Sequence, residues 1–182
     1  MRLVFLDVDG VLNTHRWWET DQYQEMRGED ARDSVDPRNV AQLNRIIAAT
    51  GAQVVVSSTW RTMEPTETPE KFEDQLKLYG YRYKIFGFTP DDRTCEYHDG
   101  VCSIYHRGHE INQWLVENRH IRVSSFVALD DMANMAPYQD HLIRTKMYDG
   151  LTPELADKAI AKLLEKDHQC ARCNAKRNDG TS

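Results

Sequence analysis

The sequence predicts an α/β fold, a central and mainly parallel sheet with helices packed against it. Three observations predict it. Short apolar runs bounded by turn signals recur at Val4–Leu6, Val54–Val56 and Ser124–Leu129, and each reads as a strand buried on both faces. Amphipathic helical stretches separate them, and strand, helix, strand at this spacing implies parallel neighbours joined by right-handed crossovers. The runs also end in side chains that do chemistry: Asp7 and Asp9, Ser57 and Ser58, Asp130 and Asp131.

The bulk properties narrow the class. The chain has 182 residues, enough for one domain with a sizeable core. Charged residues make up 29% and hydrophobic ones 40%, a globular balance. No apolar run approaches the length of a membrane span, and the N-terminus lacks a basic region followed by an apolar stretch. A cytoplasmic protein with no membrane association is expected. The formal net charge of −6 argues against tracking along a nucleic-acid backbone, which needs a broad positive surface, but allows a local basic pocket for one phosphate. Four cysteines in such a chain read as thiols or metal ligands rather than disulfides.

Taken in order, the chain opens with a strand from residue 2 that leads into Asp7–Val8–Asp9–Gly10. Residues 14–36 are polar and irregular and read as a flap, with Trp17, Trp18 and Tyr23 set among charges. Those rings either stack on a base or pack the flap onto the body. Asp36–Pro37 starts a helix, with Asp as N-cap and Pro at the first helical position. Val40, Leu43, Ile46 and Ile47 repeat at helical spacing, and Gly51 ends the helix. The stretch Gln53–Thr59 reads as a strand ending in hydroxyls. Residues 62–69 read as a loop, 70–79 as a helix, Lys84–Gly87 as a short strand and 89–106 as a long polar stretch. A helix returns from Gly108 to Asn118, with Ile111, Trp114 and Leu115 on one face. Ser124–Leu129 and His141–Arg144 are further strands. Thr152–Pro153 opens a last helix with Leu155, Ala159 and Leu163 inward, and residues 167–182 form a polar tail. The domain is therefore expected over 1–166, with the flap at 14–36 and a small insertion at 62–106.

The strand ends suggest phosphoryl transfer. In an extended chain residues i and i+2 point the same way, so Asp7 and Asp9 face one pocket, and Gly10 lets the chain turn away. Two carboxylates this close repel unless a cation lies between them or one holds a proton. One of the pair can attack as a nucleophile while the other moves protons. In an open parallel sheet, ligands bind beyond the carboxyl ends of the strands, which gathers all three groups in one crevice. Asp7, Asp130 and Asp131 offer hard oxygen ligands suited to Mg²⁺. Ser57, with Ser58 beside it, can hydrogen-bond phosphate oxygens. Arg107, at a helix start, supplies the cation, and its fork matches a phosphate.

These residues resemble the haloacid dehalogenase superfamily of phosphohydrolases. Its Asp-x-Asp-Gly-(Val/Thr) motif matches Asp7–Val11, its strand ending in Ser or Thr matches Val54–Ser57, its basic residue near a helix start matches Arg107, and its paired carboxylates match Leu129–Asp131. The resemblance implies a Rossmann-like three-layer sandwich with a minimal cap or none. It implies that Asp7 is the nucleophile and forms an aspartyl-phosphate. Asp9 would protonate the leaving oxygen and then activate water, and its backbone carbonyl would also touch Mg²⁺. Within the superfamily, Val55–Arg61 and Arg107–Ile111 resemble small domains associated with RNA-repair proteins. The phosphatase domains of phage polynucleotide kinases are more distant; they carry Arg two residues after the motif Ser, where this chain has Thr59.

Segments 14–36 and 62–106 are too short or too polar for a large cap, and an open site admits a nucleotide or a nucleic-acid end. The expected activity is therefore a phosphomonoesterase acting on such an end. A phosphatase of small metabolites such as sugar phosphates is an alternative, as is a non-catalytic nucleic-acid-binding module on the same scaffold. Arg61, just after the second strand, is the best placed of the remaining basic residues to touch substrate. Cys170 and Cys173 have the spacing of half a zinc site, which Cys95 and Cys102 could complete around Zn²⁺.

Overall fold

The first strand, β1 (Arg2–Leu6), lies at the centre of the sheet because both of its faces are apolar. A computed structural model describes residues 1–26, 34–91, 97–98, 101–102, 107–133 and 135–165, with only the backbone given at 97–98 and 101–102. Strands β2 (Gln53–Val56), β3 (Ile85–Phe88), β6 (Ser125–Asp130) and β7 (Leu142–Arg144) join β1 in the order β3–β2–β1–β6–β7, with every pair parallel. A separate antiparallel pair, β4 (Tyr97–His98) and β5 (Val101–Cys102), lies within the long polar stretch 89–106.

Alternation along β1 splits the core into two layers. Val4 and Leu6 face α3 (Pro37–Thr50), α4 (Pro69–Lys77) and α6 (Pro153–Leu164), through Val40, Leu43, Phe72, Leu76 and Ala159. Leu3 and Phe5 face Ile111 and Trp114 of α5 (Arg107–Glu117). Phe5 meets Trp114 and Phe126 edge-on, with ring centroids 5.6 Å apart in each pair. The result is the parallel α/β sheet that the apolar runs predict, built into the Rossmann-like three-layer sandwich that the resemblance implies.

The long helices start as their caps dictate. Asp36, Thr68 and Thr152 each accept a hydrogen bond from a first-turn N–H, and each precedes a proline. Gly51 closes α3 at φ +65°, and its N–H bonds to the Ile47 carbonyl.

Several boundaries differ from the sequence reading, each for a local reason. β2 stops at Val56 because the Ser58 side chain caps a 3₁₀ turn over Thr59–Thr62. β7 begins at Leu142 because Gln139–His141 forms another such turn. The described part of the flap holds two short helices, α1 (His15–Trp18) and α2 (Asp21–Glu25), capped by Thr14 and Thr20. Helices of four and five residues are too short to show a period. In α6 the fully buried position falls to Ala156, and Leu155 is only partly covered. Residues 27–33 of the flap, residue 166 and the whole tail, 167–182, lie outside the described residues.

The first turn of α5 packs tightly on the segment after β6. A Cβ built on Gly108 would lie 2.1 Å from the Ala136 carbonyl oxygen and 2.5 Å from that of Met135. Backbone cannot yield as a flexible side chain can, so Gly108→Ala should cost about 1–3 kcal/mol. Urea denaturation of that variant tests this; an unchanged midpoint would contradict so close an approach.

Candidate active site

The parallel register builds the site. Leu6 pairs with Val56 on one side and Leu129 on the other, and Val56 pairs with Phe88. One residue beyond the shared ladder lie Thr89, Ser57, Asp7 and Asp130. Their row continues the backbone bonding: Thr89 N–H donates to the Val56 carbonyl (2.9 Å), Ser57 N–H to Leu6 (2.8 Å) and Asp7 N–H to Leu129 (3.0 Å). Because side chains alternate, the row faces the same side as Phe5, Val55 and Ala128, the side covered by α5.

The turn after β1 is fixed by Gly10. Its φ is +70°, and a Cβ there would lie 2.6 Å from an Asp131 carboxylate oxygen. Both the left-handed backbone and the close approach of Asp131 therefore require glycine. Thr145 holds the turn by donating from its hydroxyl to the Gly10 carbonyl at 2.7 Å.

Asp7, Asp130 and Asp131 each bring one carboxylate oxygen within 4.8 Å of the others. Asp7 and Asp130 are buried, and Asp131 is half-buried. Arg107 reaches them from the start of α5, with Nη2 3.5 Å from Asp7 Oδ1 and Nε 3.3 Å from Asp130 Oδ2. Burial pushes the Asp7 carboxyl up to about 7; Arg107 opposes the rise and Asp130 adds to it. Burial likewise raises Asp130, again against Arg107. Three carboxylates within reach of one another, two of them against a guanidinium, form an all-oxygen donor set. That is the donor chemistry a hard divalent cation such as Mg²⁺ takes.

Asp9 is set apart from the three. Its Oδ2 accepts from Trp60 Nε1 and its Oδ1 from Asn13 Nδ2, both at 3.1 Å. Burial raises its carboxyl above the usual range, and those two bonds oppose the rise. Asn13 is oriented in turn by Trp18, whose Nε1 donates to Asn13 Oδ1 at 2.6 Å. The Trp18 ring is half-buried and lies 4.8 Å from the exposed ring of His15.

Other expected residues fall elsewhere. Ser58 is fully buried, hydrogen-bonds Asp7 and accepts from Trp60 N–H, so it braces the Asp7 carboxyl from within. Trp17 is 2% exposed and donates from Nε1 to Ser34 Oγ at 3.0 Å; it packs the flap and offers no stacking face. Arg61, expected to touch substrate, turns inward instead. It pairs with Glu110 and Asp91 and donates to the carbonyls of Ser58 and Pro90. Its long side chain finds acceptors below the strand ends, where a buried guanidinium must be paired. The expected zinc ligands Cys95, Cys170 and Cys173 lie outside the described residues, and for Cys102 only the backbone is given.

Sequence reasoning gave no role to Glu110, Trp60, Asn13 or Thr89. Each stands close to a motif residue in the chain or across the sheet, but no spacing rule marks a side chain that braces another.

A protein-family comparison identifies the scaffold: the family described as the HAD domain in Swiss Army Knife RNA repair proteins matches residues 3–156. The chain belongs to that family. Its match reaches every strand of the five-stranded sheet and every strand end of the site. Membership supports phosphatase chemistry, and the acidic cluster is compatible with it. No curated protein and no solved structure matches the chain. Among the described residues, no helix is long and apolar enough to cross a membrane.

The electrostatics make a testable statement about stability. In metal-free protein, folded Asp7 keeps its proton up to about pH 7, whereas the unfolded carboxyl releases it near 3.8. Between those values the folded state binds more protons, so stability falls as pH rises through the window. Asp7→Asn removes that loss. With chelator present, its melting temperature should exceed that of the unsubstituted protein by several degrees near pH 8, and the gap should close toward pH 4. A variant less stable at the higher pH would contradict the buried-charge assignment.

Proposed function

We propose that the protein is a Mg²⁺-dependent phosphomonoesterase that forms an aspartyl-phosphate on Asp7. The observation that carries the reading is the single row of Ser57, Asp7 and Asp130 at adjoining strand ends, with Arg107 above it. Asp7, Asp130 and Asp131 would hold the cation, together with the Asp9 backbone carbonyl. The cation would neutralise charge between a carboxylate nucleophile and the phosphate it must approach.

The chain's own groups account for the remaining steps. The Ser57 hydroxyl and the Arg107 guanidinium bind phosphate oxygens and hold phosphorus near the Asp7 carboxylate. An Asp7 oxygen attacks phosphorus, the P–O ester bond breaks, and Asp9 gives its proton to the leaving oxygen. Asp9, now a carboxylate, takes a proton from water, which attacks the aspartyl-phosphate and frees inorganic phosphate. The raised proton affinity of Asp9 suits the first half of that cycle. Trp60 and Asn13 fix its carboxyl plane for both halves.

The proposed substrate is a phosphate on a nucleotide or a polynucleotide end. Two features support it. The family is found in RNA repair proteins. The Trp18–His15 ring pair is tied to Asp9 through Asn13, beside the leaving-group side of the site, where a base could stack.

With Mg²⁺ and p-nitrophenyl phosphate, the protein should release phosphate, and Asp7→Asn should lower kcat at least about 10³-fold with an unchanged circular dichroism spectrum. Full activity in that variant would refute the mechanism. Nucleotides and 3′-phosphorylated oligonucleotides should be cleaved with higher kcat/KM than sugar phosphates; equal values would remove the substrate assignment and leave the mechanism standing.

A further inference from the structure

We infer that Glu110 is a positioning residue whose carboxylate joins the Ser57 hydroxyl and the Arg107 guanidinium into one phosphate cradle. The inference rests on the phosphatase reading and adds a residue to it. Glu110 is 1% exposed and lies one helical turn after Arg107 in α5, so both side chains point at the strand ends. Its Oε2 receives Arg107 Nη1 at 3.3 Å and the Ser57 hydroxyl at 3.4 Å. The two groups meant for phosphate therefore share a single acceptor atom, although one comes from a strand end and the other from a helix start. Its Oε1 is held by Arg61, which also bonds the Ser58 and Pro90 carbonyls and Asp91. Glu110 is thus anchored to both loops that follow β2 and β3.

As bare charge, a carboxylate behind a phosphate site would repel the ligand. Here it lies between two guanidiniums, Arg61 and Arg107, which compensate its charge. What Glu110 supplies is geometry. Its Oε2 fixes one edge of Arg107, leaving Nη2 and Nε turned toward Asp7 and Asp130.

Thr89 completes the device. Its hydroxyl lies 3.2 Å from Ser57 Oγ and 3.4 Å from Glu110 Oε2. With no ligand present, Ser57 donates to Glu110 and Thr89 can donate to Ser57. When phosphate enters, the Ser57 hydrogen must turn to a phosphate oxygen. Thr89 can then donate to Glu110 in its place, so the buried carboxylate keeps its full set of donors. No bond other than hydrogen bonds changes in the exchange.

All the neighbours of the Glu110 carboxylate named here are donors, so a glutamine amide would turn an N–H₂ group toward at least one of them. The test is a double-substitution cycle read by calorimetric titration of inorganic phosphate in the presence of Mg²⁺. Ser57→Ala should weaken phosphate binding about tenfold in the otherwise unchanged protein. In a Glu110→Gln background the same substitution should weaken it by less than about twofold, because Ser57 is no longer held for the ligand. Glu110→Asp keeps the charge but shortens the reach, and should reproduce the loss of coupling; it also serves as the background if Glu110→Gln does not fold. Equal effects of Ser57→Ala in all backgrounds would overturn the positioning role and leave the phosphatase reading intact. Failure of the unsubstituted protein to bind phosphate would overturn the phosphatase reading and this inference with it.

Discussion

The structure depends on one constraint: in-register parallel strands force the carboxylates of Asp7 and Asp130 to lie side by side in a largely dry place. Backbone pairing from Arg2–Ser125 to Leu6–Leu129 leaves neither side chain room to turn away without breaking the ladder. Burying like charges costs several kcal/mol unless cations or protons compensate. The core pins the strands on both faces, so the sheet tolerates a site that would not assemble by itself. Stability from Leu3, Phe5, Val55 and Ile111 offsets strain stored one residue further along.

Compensation comes from α5, on the same side of the sheet. Arg107 opens the helix and meets Asp7 and Asp130, Gly108 lets the first turn close on the Met135–Ala136 backbone, and Glu110 ties the turn to Ser57, Thr89 and Arg61. Arg107 and Glu110, three residues apart, share the face of α5 turned toward the strand ends, and Gly108 lets that turn approach the neighbouring backbone. The acid–base candidate, Asp9, is held by other means. Neutral N–H donors from Trp60 and Asn13 orient it, and Arg107 bears on it only as a lesser influence. Two carboxylates two residues apart thus have different environments, as the proposed division into nucleophile and proton carrier requires.

The sheet was legible in the sequence because its strands are short, apolar and followed by glycine, hydroxyl or acidic residues, as at Leu6–Gly10 and Leu129–Asp131. Helix starts at Pro37 and Pro153 were legible from a capping side chain followed by proline. The convergence of Asp7, Ser57, Arg107 and Asp130 could be anticipated because parallel strands deliver their ends to one edge. What the sequence did not reveal depends on side-chain direction. Arg61 and Arg107 are both arginines just beyond a strand or at a helix start, and both meet Glu110, yet Arg61 is otherwise held by Asp91 and backbone carbonyls whereas Arg107 reaches on to the acidic cluster. Trp17 and Trp18 are adjacent, yet one is buried against Ser34 and the other lies at the rim beside His15. Thr59–Thr62 and His15–Trp18, four residues each, set the directions of Arg61 and of the two tryptophans, and such turns are too short to leave a period in the sequence.

The central claim is that Asp7, Asp130 and Asp131 form one cation site, and calorimetric titration of the chelator-treated protein with Mg²⁺ tests it most directly. A single Mg²⁺ should bind per chain, and Asp130→Asn should abolish the binding. No binding by the unsubstituted protein, or undiminished binding by Asp130→Asn, would contradict it.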